Sequence, residues 1–148
     1  MTTVSEVMTR SARSLSPTDT VVLAAQVMEE LNVGVVPVCE GDVLVGVVTD
    51  RDIVVRGVAQ GLDARSLVLA DVMSTSLRTA REGDDVQAIL NTMGLNQIRR
   101  MPVVNDQGRL IGILSIGDIA AKGPNGDSSV ANSLADISSP AEPDRAYS

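Results

Sequence analysis

The chain has 148 residues and a formal net charge of −7 at pH 7, from 19 acidic and 12 basic side chains. Such an acidic chain lacks the basic surface of a general nucleic-acid binder, so we expect no nucleic-acid partner. The absence of His, Trp and Phe removes His-based general-base catalysis and His metal sites. The single cysteine, Cys39, excludes an intramolecular disulfide and is typical of the cytoplasm, where we expect this protein. No apolar run reaches the ~18–20 residues that span a bilayer, so no membrane partner is expected.

An internal repeat organises the sequence, and a repeat of this kind decides the architecture. The matching blocks are VSEVMTR (4–10) with LADVMST (69–75), DTVVLAAQVM (19–28) with DDVQAILNTM (84–93), VGVVPV (33–38) with IRRMPV (98–103), and LVGVVTDRDI (44–53) with LIGILSIGDI (110–119). We therefore predict repeats at 1–65 and 66–122. Because about 60 residues are marginal for an independent core, the halves are expected to pack as one domain. The Ser-, Pro- and Gly-rich stretch 123–148 predicts a disordered acidic tail.

Each repeat shows the same succession of elements. A short opening helix is predicted after Thr3, because Thr3 and Glu6 have the spacing of a capping box. A longer helix begins near Asp19 and near Asp84, where Gln87 completes a second N-cap pair. Two β-branched runs separated by Gly and Asp then predict a hairpin, and a last helix begins at TDRDI or SIGDI. The result is an α+β fold with small sheets covered by helices. The predicted strands are Val35–Cys39, Val43–Val48, Met101–Val104 and Leu110–Leu114.

The predicted helix over 20–31 has an unusually broad apolar surface. At about 100° per residue, only Gln26, Glu29 and Glu30 mark a polar side after the cap. One interpretation is a helix deep in the core. The other is a helix that also buries a face against a second subunit, which predicts a homodimer.

The candidate site follows the second strand of each hairpin. There a hydroxyl residue, Thr49 or Ser115, is followed three positions later by Asp52 or Asp118. The hydroxyl would cap a helix whose free N–H groups and dipole favour an anion such as phosphate. The carboxylate can accept two hydrogen bonds from a vicinal diol, as acidic residues do on ribose. The alternative is an ordinary capping box, and the second copy at the equivalent position favours the ligand site.

The duplicated unit, the hydrophobic-Pro-Val strand and the Gly-h-h-Thr/Ser-x-x-Asp ending resemble a tandem pair of cystathionine-β-synthase (CBS) domains. The resemblance covers residues 1–122 and implies two CBS repeats packed about a pseudo-twofold axis, with two clefts between their sheets. In this family the clefts often hold AMP, ADP, ATP, NAD or S-adenosylmethionine. It implies a small stand-alone protein of bacterial type, for which the adenosyl nucleotide is a regulatory ligand and not a required cofactor.

The resemblance also assigns roles to individual residues. Thr49 and Ser115 would contact phosphate, while Asp52 and Asp118 would hold ribose hydroxyls. The base pockets would be lined, largely through backbone and apolar contacts, by Val36, Pro37, Met101 and Pro102.

Arginines distinguish the two repeats. Arg99 and Arg100 stand where the first repeat has Gly34 and Val35. A basic residue at this place contacts phosphates in some CBS proteins, such as the AMP-activated kinase gamma subunits, which implies that one cleft favours a phosphorylated ligand. Arg51 is a further candidate phosphate contact. The alternative for Arg99 and Arg100 is that they pair with surface carboxylates.

Two functional hypotheses follow. The leading one is a regulatory sensor that binds an adenosyl nucleotide and signals to an unknown protein partner. The other is a ligand-free interaction module with vestigial clefts. We expect no enzyme, because the sequence places neither a paired acid and base nor a metal cluster. Cys39, in an apolar strand with no partner base, is interpreted as a buried structural thiol.

Overall fold

The computed structural model describes residues 1–10 and 12–122, so the predicted tail at 123–148 lies outside the described residues. A π-helical turn at Ile53–Gly57 and 3-10 turns at Val58–Gln60 and Leu69–Asp71 complement the regular elements. The predicted α+β class, with small sheets and helices, is confirmed. The helices are α1 (Val4–Val7), α2 (Val21–Leu31), α3 (Asp50–Asp52), α4 (Val86–Asn96) and α5 (Ile116–Lys122). The strands are β1 (Thr9–Arg10), β2 (Val35–Glu40), β3 (Val43–Thr49), β4 (Ala80–Arg81), β5 (Arg100–Val104) and β6 (Leu110–Ser115).

Both predicted hairpins are present, and each strand is one residue longer than its aliphatic run. In the first hairpin, β2 and β3 pair antiparallel with Val35 opposite Thr49. Gly41 and Gly108, in the turns, have φ of 61° and 77°. A side chain rarely adopts this left-handed conformation, which explains glycine at both turns.

The N-caps of the two long helices each lie one residue after the predicted start. Asp85, not Asp84, is the N-cap of α4 and accepts the Gln87 N–H at 3.3 Å. Thr20 caps α2 in the same way, accepting the Leu23 N–H at 3.2 Å. The Asp84 carboxylate instead accepts the N–H of Arg81 at 2.9 Å and closes the preceding turn. The prediction of Asp84 as the cap was wrong because the turn competes for the same carboxylate.

The described residues form two compact units. Among the described residues, the first-hairpin unit comprises 13–77 and 107–110, and the second-hairpin unit comprises 1–10, 12, 78–106 and 111–122. The opening segment of each sequence repeat, about residues 1–12 and 66–77, therefore packs with the hairpin of the other repeat. The predicted repeat boundaries at 1–65 and 66–122 describe the sequence, whereas the compact units follow this exchange.

The two units share one pattern of strand pairing. The second-hairpin unit holds a sheet in the order β1-β6-β5-β4. The first-hairpin unit has the pair β2-β3, which isolated bridges extend at both edges. The corresponding pairs are Thr9–Ile113 and Ala80–Val103 in the second-hairpin unit, and Ser74–Val47 and Leu15–Val38 in the first.

Each unit has its own aliphatic core. Met8 and Met93 are buried in the second-hairpin unit, and Met28 is buried in the first, where Met73 packs against the core. No helix among the described residues has the length and apolar character needed to cross a bilayer. The core contribution of α2 consists of Val21, Ala24, Val27 and Met28.

In each unit, the exchanged segment, which is the opening segment of the other repeat, makes a close backbone contact with the hairpin. A Cβ atom on Gly112 would lie 2.7 Å from the carbonyl oxygen of Thr9 and 3.1 Å from the sulfur of Met8. At the equivalent Gly46, the corresponding neighbours are the Met73 sulfur at 2.8 Å and the Ser74 carbonyl oxygen at 3.0 Å. Glycine is required at both positions because no side chain fits between the strands.

We predict that Gly112→Ala lowers the free energy of unfolding by about 1–3 kcal/mol, the usual cost of overpacking. The backbone oxygen of Thr9 cannot move aside without breaking β1 from β6. Gly83→Ala is the matched control, because a Cβ there has no neighbour within 4 Å. Urea unfolding of both variants measures the difference, and equal stabilities would contradict the assigned steric role.

Candidate functional site

The first half-site lies at the end of β3 in the first-hairpin unit. The Thr49 N–H donates to the Asp52 carboxylate and the Asp52 N–H donates to the Thr49 hydroxyl, both at 3.0 Å. The Asp50 N–H donates to the Gly34 carbonyl at 3.0 Å, which joins this turn to the start of β2. The predicted hydroxyl and carboxylate are therefore brought together.

The second half-site repeats this arrangement at the end of β6. The Ser115 N–H donates to Asp118 at 3.3 Å, and the Asp118 N–H donates to the Ser115 hydroxyl at 2.9 Å. The Ile116 N–H donates to the Arg99 carbonyl at 3.0 Å. The two half-sites thus have the same geometry, each within its own unit.

A capping box is present at both half-sites, and it changes how a phosphate could be held. In the first half-site, the N–H groups of Asp50, Arg51 and Asp52 all have partners within the chain. The expectation of free first-turn N–H groups for an anion is wrong there, because nearby oxygens already accept them. An anion would have to bind to side chains or displace these bonds.

The predicted arginines are exposed. Arg51, Arg99 and Arg100 form no ion pair with any carboxylate of the described residues. The repeat explains why Arg99 has no ion pair among the described residues. The residue whose N–H bonds to its carbonyl is Ile116, whereas the equivalent residue in the first half-site is Asp50, which carries a carboxylate. The alternative of surface pairing therefore has no support within 1–10 and 12–122.

Sequence reasoning missed Arg56, which lies beside the first half-site. Its guanidinium Nε is 3.8 Å from Asp52 Oδ1. It also donates to the carbonyl oxygens of Val72 and Met73, at 3.4 and 3.2 Å. The spacing of Asp52 and Arg56, four residues apart on a helical segment, was a signal that could have found this pair.

Thr9 was also missed. Its hydroxyl donates to the Asp118 carboxylate, 3.4 Å from Oδ1 and 3.3 Å from Oδ2. No local signal could have found this contact, since 109 residues separate the two positions. It follows from the pairing of β1 with β6.

The residues expected to line base pockets are buried. Val36 and Met101 are each 1% exposed and belong to the aliphatic cores, and Pro37 and Pro102 are buried beside them. Their side chains support β2 and β5. A base would therefore meet mainly the backbone of these strands.

Cys39 is buried at 4% exposure, as predicted. Burial raises the pKa of its thiol, while the neighbouring Ser14 lowers it and Asp42 raises it slightly further. A thiol that stays protonated is a poor nucleophile, which supports a structural role. The described part of the chain contains no cluster of three or more His, Cys, Asp or Glu side chains suited to a metal ion.

Comparison with known proteins decides the family. The CBS domain model matches residues 4–57 and 69–124. The chain belongs to the CBS domain family. CBS domain-containing protein YhcV of Bacillus subtilis is 42% identical over 120 residues, covering 81% of this chain and 84% of that protein.

Two solved structures resemble this CBS pair. Hypoxic response protein 1 of Mycobacterium tuberculosis is 36% identical over 121 residues, 81% of this chain and 84% of that protein. The crystal structure of Hypoxic Response Protein I with two coordinated zinc ions gives a TM-score of 0.73, over 82% of this chain and 98% of that one. The crystal structure of CBSX2 in complex with AMP is 29% identical, with a TM-score of 0.71, over 80% of this chain and 93% of that one.

Proposed function

We propose that this CBS pair is a non-catalytic regulatory module that binds an adenosyl nucleotide and transmits its occupancy to a protein partner. The observation that carries the proposal is the duplicated capping box that holds a hydroxyl beside a carboxylate at the ends of β3 and β6. The complex of the similar protein CBSX2 with AMP supports an adenosine-containing ligand.

In this proposal the carboxylates of Asp52 and Asp118 accept the ribose hydroxyls. The side chain of Asp52 is 13% exposed, so one face of it is open to a ligand. Thr49 and Ser115 lie beside the carboxylates and would contact the phosphate, joined by Arg51 at one half-site and by the two exposed arginines before Met101 at the other. The adenine would lie along the backbone of β2 or β5.

A second candidate function is a ligand-free interaction module. The observation that favours it is that the first-turn N–H groups of the first half-site already donate hydrogen bonds within the chain. That helix turn therefore has no free N–H donor for a ligand. The two functions differ in one measurable property, because only the first predicts that nucleotides stabilise the fold.

We predict that AMP, ATP, NAD or S-adenosylmethionine raises the melting temperature, because a ligand bound only to the folded state stabilises it.

Asp52→Ala and Asp118→Ala should each weaken binding at their own half-site by about tenfold to more than a hundredfold, the usual loss for a charged acceptor. Thermal shift and calorimetry are the measurements.

Two controls separate ligand binding from capping. Asp52→Asn keeps an oxygen for the Thr49 N–H but removes the charge, so it should retain the fold and lose affinity. Thr20→Ala removes the cap of α2 in the same unit and should cost stability, about 1 kcal/mol, without changing affinity. If none of the four compounds at millimolar concentration changes the melting temperature of the wild type, the interaction module would be favoured.

We predict that Arg100→Ala weakens AMP binding about tenfold while leaving adenosine nearly unchanged, since a guanidinium pairs with phosphate oxygens that adenosine lacks. The effect should fall on one of two sites, because Val35 occupies the equivalent position in the first repeat. Added salt should reduce the preference for AMP over adenosine. Calorimetry with both ligands measures this, with Arg81→Ala as the control. Equal losses for both ligands would show that Arg100 supports the fold instead.

The proposal includes a homodimer, and the structure changes where its interface is expected. Most of the broad apolar surface of α2 is buried in the core, and Leu31 remains 46% exposed. The larger apolar surface follows α3, and exposed apolar side chains in such a group mark interaction sites. Its members are Val54 at 55% exposure, Val55 at 38%, Val58 at 61% and Leu62 at 49%.

We predict that sedimentation at micromolar concentration gives twice the monomer mass of 15.5 kDa. Val58→Glu should shift the protein towards the monomer, because a charge would be buried in the interface. Thr18→Glu adds the same charge at an exposed polar position of the same unit and should leave the dimer intact. A wild-type monomer would refute the dimer, and an intact Val58→Glu dimer would refute this interface.

A further inference from the structure

The two half-sites differ in what already contacts the ribose carboxylate. At the second, the Thr9 hydroxyl lies 3.3 and 3.4 Å from the two oxygens of Asp118. At the first, the residue equivalent to Thr9 is Ser74, since Ser74 pairs with Val47 as Thr9 pairs with Ile113. Within the described residues, the Ser74 hydroxyl donates no hydrogen bond to Asp52.

The nearly equal distances place the Thr9 hydroxyl in the fork between the two Asp118 oxygens. A vicinal diol would bring its two hydroxyl groups to the same two oxygens, in the bidentate arrangement that carboxylates accept. Oδ2 of Asp118 also accepts the Ser115 N–H. A ribose at this half-site would therefore compete with the Thr9 hydroxyl for the two oxygens of Asp118.

The carboxylate of Asp52 is more open. Its Oδ2 accepts the Thr49 N–H at 3.0 Å, but its Oδ1 has only the Arg56 guanidinium at 3.8 Å, beyond hydrogen-bond distance. The carbonyls of Val72 and Met73 hold Arg56 in place, so its charge lies near Asp52 without a hydrogen bond to Oδ1. Lys122 is the equivalent residue in the second repeat, and it forms no ion pair with a described carboxylate.

We propose that Thr9 is a specificity-determining residue that makes the two half-sites unequal. The Asp52 half-site takes a ribose first, and the Thr9 hydroxyl weakens ribose binding at Asp118. This inference rests on the proposed adenosyl-nucleotide function and specifies which site fills first. It is separate from phosphate binding, for which the two arginines favour the second half-site.

The test uses adenosine as the probe, because it has the ribose but no phosphate to contact the arginines. Each half-site is isolated with Asp52→Ala or Asp118→Ala in the full-length protein. With Asp52→Ala, adding Thr9→Val should raise adenosine affinity about fivefold, the size of one ordinary hydrogen bond. Valine keeps the β-branched shape that suits strand β1, and Thr9→Ser keeps the hydroxyl and should match the parent.

Two controls place the effect on Asp118. With Asp118→Ala, Thr9→Val should leave adenosine affinity unchanged, and so should Ser74→Ala, which removes the equivalent hydroxyl. In single variants, Asp52→Ala should remove the stronger of two calorimetric binding events. Melting curves establish that each variant is folded before titration.

The outcomes separate the inference from the function on which it rests. A wild type that binds neither adenosine nor AMP at millimolar concentration overturns both. Normal wild-type binding with no gain from Thr9→Val overturns only the role of Thr9, as does a loss of affinity, which would make Thr9 a ribose ligand. A stronger site that disappears with Asp118→Ala overturns the predicted order of filling.

Discussion

The contact on which the rest of the structure depends is the close backbone approach at Gly112 and Gly46. The Thr9 carbonyl lies 2.7 Å from where a Cβ of Gly112 would be, so any larger residue would separate β1 from β6. This approach holds the exchanged segment beside the hairpin of each unit. It also brings Thr9 to the strand that ends at Ser115, and thereby to Asp118. A steric requirement at one glycine thus determines which side chain neighbours the Asp118 carboxylate.

The capping box and the ligand site are compatible uses of the same residues. A capping box needs one carboxylate oxygen for the backbone N–H, and Asp52 uses Oδ2 in this way. Its Oδ1 remains available for a hydroxyl. The sequence pattern Thr/Ser-x-x-Asp cannot distinguish a cap from a cap that also binds, because both place the carboxylate identically. What differs is the set of neighbours, and those come from elsewhere in the chain.

The sequence predicted what depends on local pattern. The aliphatic runs located all four hairpin strands to within one residue, because a β-branched run and a Gly-containing turn are local signals. The N-cap of α4 was misplaced by one residue because Asp84 and Asp85 are both good caps and only the turn to Arg81 decides between them. The Thr9–Asp118 contact had no local signal, since it is created by strand pairing across most of the chain. The contact of Arg56 with Asp52 could have been predicted from their i,i+4 spacing on a helix, but the Thr/Ser-x-x-Asp motif does not include Arg56.

A carboxylate that is already fixed by a cap is well suited to binding a diol. Asp52 is held by its own capping bond on one side and by the Arg56 charge on the other, so little side-chain freedom is lost when a ligand arrives. Asp118 is held by its own capping bond and by the Thr9 hydroxyl, which lies where the proposed ribose would bind. Under the proposed function, this fixed placement favours ribose binding at Asp52 and opposes it at Asp118. Because the caps are the same, the difference between the half-sites must come from the residues that strand exchange and helix spacing place around them.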